Sequence, residues 1–327
     1  MRKISTAHML LVVTLAVFML TGIVMSLLPA EISIELPTWL TMSIGSLVIL
    51  LPGLIYCLVK RITVVKAVGL KKTRPLNFLM AAIILACAYP VIVTLNFLSM
   101  LFVENAVQDS MLSLLNTTNL PAMLLIVAVL PAISEEFVFR GLLYNTYRKT
   151  APLAGVILSA LFFALMHGNF NQIPYALFLG IVMALMMEAT DSIAIPIFIH
   201  FLMNGSNVLI SYAMKPVLFQ SEMMSGFHMF GEPKSFLETL TETVGTDTLK
   251  LMIGIYAVIG LFFAAAVFAL IYAVFVLNRR SLKETFFPEK KHDFYGERSR
   301  QEEVKQPLFD LWVFAYVILI LIHIFII

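Results

Sequence analysis

The sequence predicts an all-α fold, a polytopic membrane bundle of about eight or nine transmembrane helices. Three observations carry that expectation. The 327 residues are 60% hydrophobic and only 13% charged, with a mean hydropathy of +0.94, too apolar for a soluble globule. Several stretches of about 18 or more apolar residues are each long enough to cross a ~30 Å hydrocarbon core as helix. Lys and Arg fall in alternate loops, the pattern left when positive charge stays on the cytoplasmic side.

Taken in order, spans are expected near 8–28, 38–59, 78–103, 119–143, 152–170, 173–189, 193–213, 250–277 and 309–327. The first follows Met1-Arg2-Lys3 as a signal peptide would, but its apolar core is long. Leu27-Leu28-Pro29-Ala30 offers no small-x-small cleavage site, so it reads as a retained helix. Arg2 and Lys3 put the N-terminus in the cytoplasm, and Glu31 and Glu35 fall outside. The loop holding Lys60, Arg61, Lys66, Lys71, Lys72 and Arg74 returns inside. Glu104 and Asp109 are outside, Arg148 and Lys149 inside, the acidic 214–249 loop outside, and Arg279, Arg280 and Lys283 inside. The final span carries Asp310 and His323 near its two ends. A multi-pass protein of the cell (plasma) membrane is expected.

The chain reads as a single membrane domain. Residues 1–118 supply N-terminal transmembrane helices and 119–213 a core. Residues 214–327 supply an outer loop, a span, a cytoplasmic loop and the C-terminal span. Within the outer loop, Ser235 to Val244 has the pattern of a short amphipathic helix. The 278–308 loop mixes charge signs like a solvated connector. No internal repeat or matched pair of broken helices suggests an inverted-repeat transporter. The net charge of +2 makes no case for nucleic acid, which leaves the bilayer and a membrane-associated molecule as partners. Cys57 and Cys87 lie in apolar stretches, where a thiol behaves as a small hydrophobe.

The 119–143 span carries charge where hydrocarbon should exclude it: Ser134-Glu135-Glu136-Phe137-Val138-Phe139-Arg140. Such residues mark functional sites by default. Residues four apart share a helix face, so Glu136 and Arg140 are expected to pair while Glu135 points about 100° away. Without that partner, Glu135 is the carboxylate suited to general-base work. Two later spans add Phe163-Ala164-Leu165-Met166-His167 and His200-Phe201-Leu202-Met203-Asn204, with Asn207 continuing the second face. Polar groups on three helices must all avoid lipid, so they are expected to converge inside the bundle.

Together these groups suit either of two chemistries. Glutamate with histidine deprotonates a water, and a second histidine with asparagine donates to the oxyanion formed at an amide carbonyl. Alternatively Glu135, His167 and His200 are candidate ligands of Zn2+, with a bound water of lowered pKa. Counting from Pro152, His167 lies ~22 Å along its helix, whereas Glu135 is expected nearer the cytoplasmic end of its own. Tilt or a broken helix is then needed to bring them together.

In this order the three motifs resemble the CAAX protease and bacteriocin-processing (Abi) family, whose pattern is Glu-Glu-x-x-x-Arg, then Phe-x-x-x-His, then His-x-x-x-Asn or Asp. Glu135 to Arg140, Phe163 to His167 and His200 to Asn204 match it without a departure. The resemblance covers roughly residues 119–210. It implies an all-helical membrane core with a cavity open to the cytosol and an intramembrane endopeptidase acting on a membrane-associated peptide or protein. It also implies Glu135 as base or ligand, His167 as its partner, His200 and Asn204 as oxyanion stabilisers or ligands, and Glu136, Arg140 and Phe163 in support. The motifs leave metal-dependent and metal-free mechanisms both open. A proton-coupled transporter, or a non-catalytic bacteriocin-immunity or scaffold protein, are the competing expectations.

Overall fold

The computed structural model describes residues 4–28, 36–103, 107–216, 236–287 and 307–325. Among these residues it is a helical bundle without strands. Helices α1 (Ile4–Ser26), α2 (Thr38–Val59), α3 (Val64–Val68), α4 (Pro75–Met100) and α5 (Val107–Thr117) come first. Next are α6 (Leu120–Tyr147), α7 (Pro152–Met166), α8 (Ile173–Thr190) and α9 (Ala194–Ala213). After α10 (Phe236–Val244) come α11 (Thr246–Leu277), α12 (Leu282–Phe286) and α13 (Leu311–Phe325).

Seven of these, α1, α2, α4, α6, α8, α9 and α11, are long and apolar enough to cross a membrane, and the protein is membrane-embedded. The spans expected at 152–170 and 309–327 are shorter than the sequence suggests. At 15 residues each, α7 and α13 reach only ~22 Å. The α7 helix stops because Gly168 takes φ +63°, a left-handed conformation that ends a helix and that L side chains resist. The amphipathic helix expected from Ser235 is present as α10, while Ser235 itself lies outside the described residues. So do Met1 to Lys3, Pro29 to Glu35, Glu104 and most of the 278–308 connector. Both cysteines are free, with Cys57 buried.

One correction removes the depth problem. The α6 helix does not stop at 143. It runs on to Tyr147, because the polar residues that look like a loop are satisfied in place. Thr146 Oγ1 donates to Leu142 O at 2.7 Å, Asn145 Nδ2 to Ala67 O at 3.1 Å, and Tyr144 Oη to Glu188 Oε2 at 2.8 Å. Glu135 then stands ~18 Å from that helix end, close to the ~22 Å of His167 from Pro152.

The helix ends collect into two faces. On one, Lys71 Nζ meets Asp191 Oδ2 at 2.5 Å, Arg148 Nε meets Glu188 Oε2 at 2.8 Å, and Arg280 also pairs with Glu188. Arg74 Nη1 donates to Leu277 O at 2.7 Å on the same face. There the buried His8 imidazole joins Asp310 Oδ1, 3.0 Å from its Nδ1, to the Tyr147 hydroxyl, tying α1, α6 and the start of α13. Asp310 Oδ1 also accepts from Trp312 N and Val313 N at 3.1 and 3.2 Å, capping α13. At the opposite face Thr38 and Ser113 share a 2.7 Å bond, Ser99 Oγ donates to Phe170 O at 3.3 Å, and Lys215 Nζ donates to Leu115 O at 2.5 Å.

Candidate active site

The site is built around an irregular helix. Inside α6, Leu124–Val129 and Phe137–Tyr144 are π-helical, bracketing the turn that carries the two glutamates. Such bulges occur often at functional sites. Pro131 has no N–H to offer Val127 O four residues back. Asn204 supplies one instead, its Nδ2 donating to Val127 O at 3.0 Å from α9. The helix defect and the third motif are thus two halves of one contact. A carboxamide carries two N–H groups, so this bond leaves the second for other use.

The expected ion pair forms. Arg140 Nη1 donates to Glu136 Oε1 at 2.8 Å with both side chains fully buried, and Arg140 Nη2 donates to Gly180 O at 3.1 Å. Gly180 is required for that approach, because a Cβ there would lie 3.0 Å from the Ala160 backbone and 3.2 Å from Arg140 Nη2. Above Arg140 sits the Phe163 ring, 4.4 Å from the guanidinium carbon, a cation–π contact. The same ring packs edge-on against His167 at 5.0 Å and His200 at 5.8 Å between centroids. Phe163 therefore sets the position of one cation and two imidazoles, a role its sequence motif does not reveal.

Each imidazole is held by its Nδ1. His167 Nδ1 lies 3.0 Å from Phe163 O, which only accepts, so that nitrogen carries the hydrogen and Nε2 of the neutral ring is left with its lone pair. His200 Nδ1 lies 3.0 Å from Glu136 Oε1, the oxygen already bound by Arg140, so it donates as well. Its Nε2 faces Glu135 Oε2 at 3.9 Å, too far for a hydrogen bond. Glu135 keeps 19% of its side-chain surface exposed, against none for Glu136. That contrast separates the two neighbouring acids. Glu136 is spent on structure, and Glu135 borders open space.

Two adjoining cavities provide that space, of about 420 and 250 Å³, and both are lined by Glu135, His167, Pro131 and Met42. The smaller adds His200, Asn204, Asn207 and Phe163, so the three motifs meet at one void. The larger has mostly apolar walls, including Phe18, Ile49 and Met166, and is lined also by His323 from α13. Carbonyl and carboxylate partners on Nδ1 are typical of zinc-binding histidines. Even so, among the described residues no three His, Cys, Asp or Glu side chains stand close enough to share a metal ion.

Two groups escaped the sequence reading. His323 packs against the turn that follows His167, where a Cβ on Gly168 would collide with its imidazole, and edge-on against Phe18 at 6.0 Å. Its place at the far end of the last span was visible, but its neighbour was not. The other is Glu188, an acid inside the apolar run of α8 and 3% exposed, which gathers Tyr144, Arg148 and Arg280. That single charge in a hydrocarbon stretch was the available signal. Burial pulls the Arg148 guanidinium down, but Glu188, Tyr144 and Asp191 together hold it above its ordinary value. At Asp191 burial acts upward and is outweighed by Lys71, Arg148 and Arg280, which keep the carboxyl below the usual aspartate range.

Residues 117–206 match the sequence model of the type II CAAX prenyl endopeptidase Rce1-like family. The membrane-embedded CAAX protease MroQ of Staphylococcus aureus (strain USA300) is 34% identical over 97 residues, 28% of this chain and 39% of that protein. YdiL of Bacillus subtilis (strain 168) is 27% identical over 85 residues, 26% of this chain and 35% of that one. The chain thus spans less than half the length of the curated relatives it matches. No solved structure matches it. Residues 117–206 are thus similar to the Rce1-like CAAX-protease family, the family that the three motifs resemble.

Proposed function

We propose that this protein is an intramembrane endopeptidase that hydrolyses a peptide bond of a membrane-associated protein or peptide, with Glu135 as general base. The observation that carries this reading is the partly exposed Glu135 carboxylate facing a cavity shared with two histidines whose Nδ1 atoms are locked. The family match and the protease name of MroQ support peptide hydrolysis over a carrier function.

In the reaction a water sits between Glu135 and His167 Nε2, whose lone pair accepts one of its hydrogens and orients it. Glu135 removes the other proton as the oxygen attacks the carbonyl carbon. The oxyanion accepts from the second N–H of Asn204 and from His200 Nε2 when that nitrogen is protonated. Collapse breaks the C–N bond, and Glu135 returns its proton to the departing amine. Glu136, Arg140 and Phe163 hold His200 and His167 and do not touch the substrate. The chain's own groups complete this cycle.

Cleavage of a membrane-inserted reporter peptide tests the assignment. Glu135→Gln and His167→Ala each abolish cleavage, by about 10² to 10⁴-fold for loss of the base, while membrane abundance is unchanged. Normal proteolysis by either variant contradicts it.

A further inference from the structure

We propose that substrate reaches Glu135 from the membrane face opposite the basic loops, so that the bond cut belongs to a peptide segment presented at the exterior side. The inference rests on the endopeptidase reading for the word substrate, but its geometry is independent of catalysis.

The site cavities are walled by one set of helix ends. Thr41 and Met42 lie in the first turns of α2, Gln172 and Tyr175 at the start of α8, and Met111 lies on α5. These are the ends tied together by the Thr38–Ser113 and Ser99–Phe170 bonds. Toward the other face the path from Glu135 is closed. All eight residues of Phe137–Tyr144 are buried, and Tyr144 and Tyr147 are among the largest fully buried side chains. A Cβ on Gly141 would lie 2.7 Å from Val68, so α3 seats directly on this segment. Beyond it the Glu188 and Asp191 ion pairs lace α6, α8 and the loops at 71 and 280 together. The cavity of about 800 Å³ on that face, lined by Lys60, Arg61, Lys66 and Lys149, touches none of Glu135, His167 or His200.

The closed face is also the positive one, bearing Lys60, Arg61, Lys66, Arg148, Arg279 and Arg280. Positive loops are retained in the cytoplasm. The open face is therefore exterior, the reverse of the sidedness that the family resemblance implies. The apolar wall of Phe18, Ile49 and Met166 suits a hydrophobic side chain next to the scissile bond, as in a segment dipping into the outer leaflet.

Thiol labelling of the full chain in intact cells tests this. In a Cys57→Ala/Cys87→Ala background, Gln172→Cys at the cavity mouth reacts with a membrane-impermeant maleimide added outside. Lys66→Cys on the basic loop reacts only after permeabilisation, with a difference in labelling rate of at least about tenfold between the two positions. Labelling of both from one side, or Lys66→Cys from outside and Gln172→Cys only after permeabilisation, overturns the proposal. Because labelling needs no turnover, this outcome and the loss of cleavage in Glu135→Gln fail separately.

Discussion

Replacing Arg140 by Met deprives Glu136 of its guanidinium partner, leaving His200 Nδ1 on a carboxylate that stays at zero exposure. Removing one partner of a buried pair costs about 3–5 kcal/mol. Two further contacts go with it, the bond to Gly180 O and the cation–π contact with Phe163, the latter worth about 1–2 kcal/mol when desolvated. Against this, Glu136 Oε2 and Arg140 Nε find no partner among the described residues, so the native pair is itself imperfectly compensated. The expected net loss is about 4 kcal/mol. Glu136→Gln/Arg140→Met removes both charges and should lose only about 1–2 kcal/mol, because no buried ion is stranded. Unfolding of the purified protein in detergent, read as a double-mutant cycle, measures the coupling. An Arg140→Met loss below about 1 kcal/mol, or a double variant no more stable than the single, would refute the view that this pair is the internal brace of the site.

Further outcomes follow from other contacts. Gly168→Ala forces a left-handed residue and a collision with His323, so it lowers the thermal midpoint. Adding His323→Ala restores part but not all of the loss, since the backbone strain of about 1 kcal/mol remains. Phe163→Leu keeps apolar bulk but loses the flat ring that seats His167, His200 and Arg140. Cleavage should fall by more than tenfold, against a stability change of only about 1–2 kcal/mol. The depressed Asp191 carboxyl contributes stability that is present above its unfolded value and lost as pH falls through the lower folded value. Asp191→Asn should therefore flatten the acid limb of a stability-against-pH profile, at pH values below the usual aspartate range.

Much of the site was legible because intramembrane charge is rare enough to stand out, and because helical spacing alone pairs Glu136 with Arg140. The nine apolar segments were legible for the same reason of composition. What sequence did not show is which helices are neighbours. Phe163 carries a supporting role in its motif, but what it supports is hidden until α6 and α9 place Arg140 and His200 on its ring. Pro131 reads as a helix breaker until Asn204 answers its missing N–H. The end of α6 was misjudged because Asn145 and Thr146 look like loop residues. Their partners, Ala67 O and Leu142 O, make them compatible with helix.

The central claim, part of the proposed function, is that Glu135 acts on water without a metal; it is supported by nearby donors that, among the described residues, do not close around an ion. Metal content of the purified, active protein, with peptide cleavage measured before and after chelation, tests it most directly. The account predicts no stoichiometric metal and undiminished cleavage in chelator, with activity still lost in Glu135→Gln. One zinc per chain, removed together with activity by chelation and absent from His200→Ala, would contradict it.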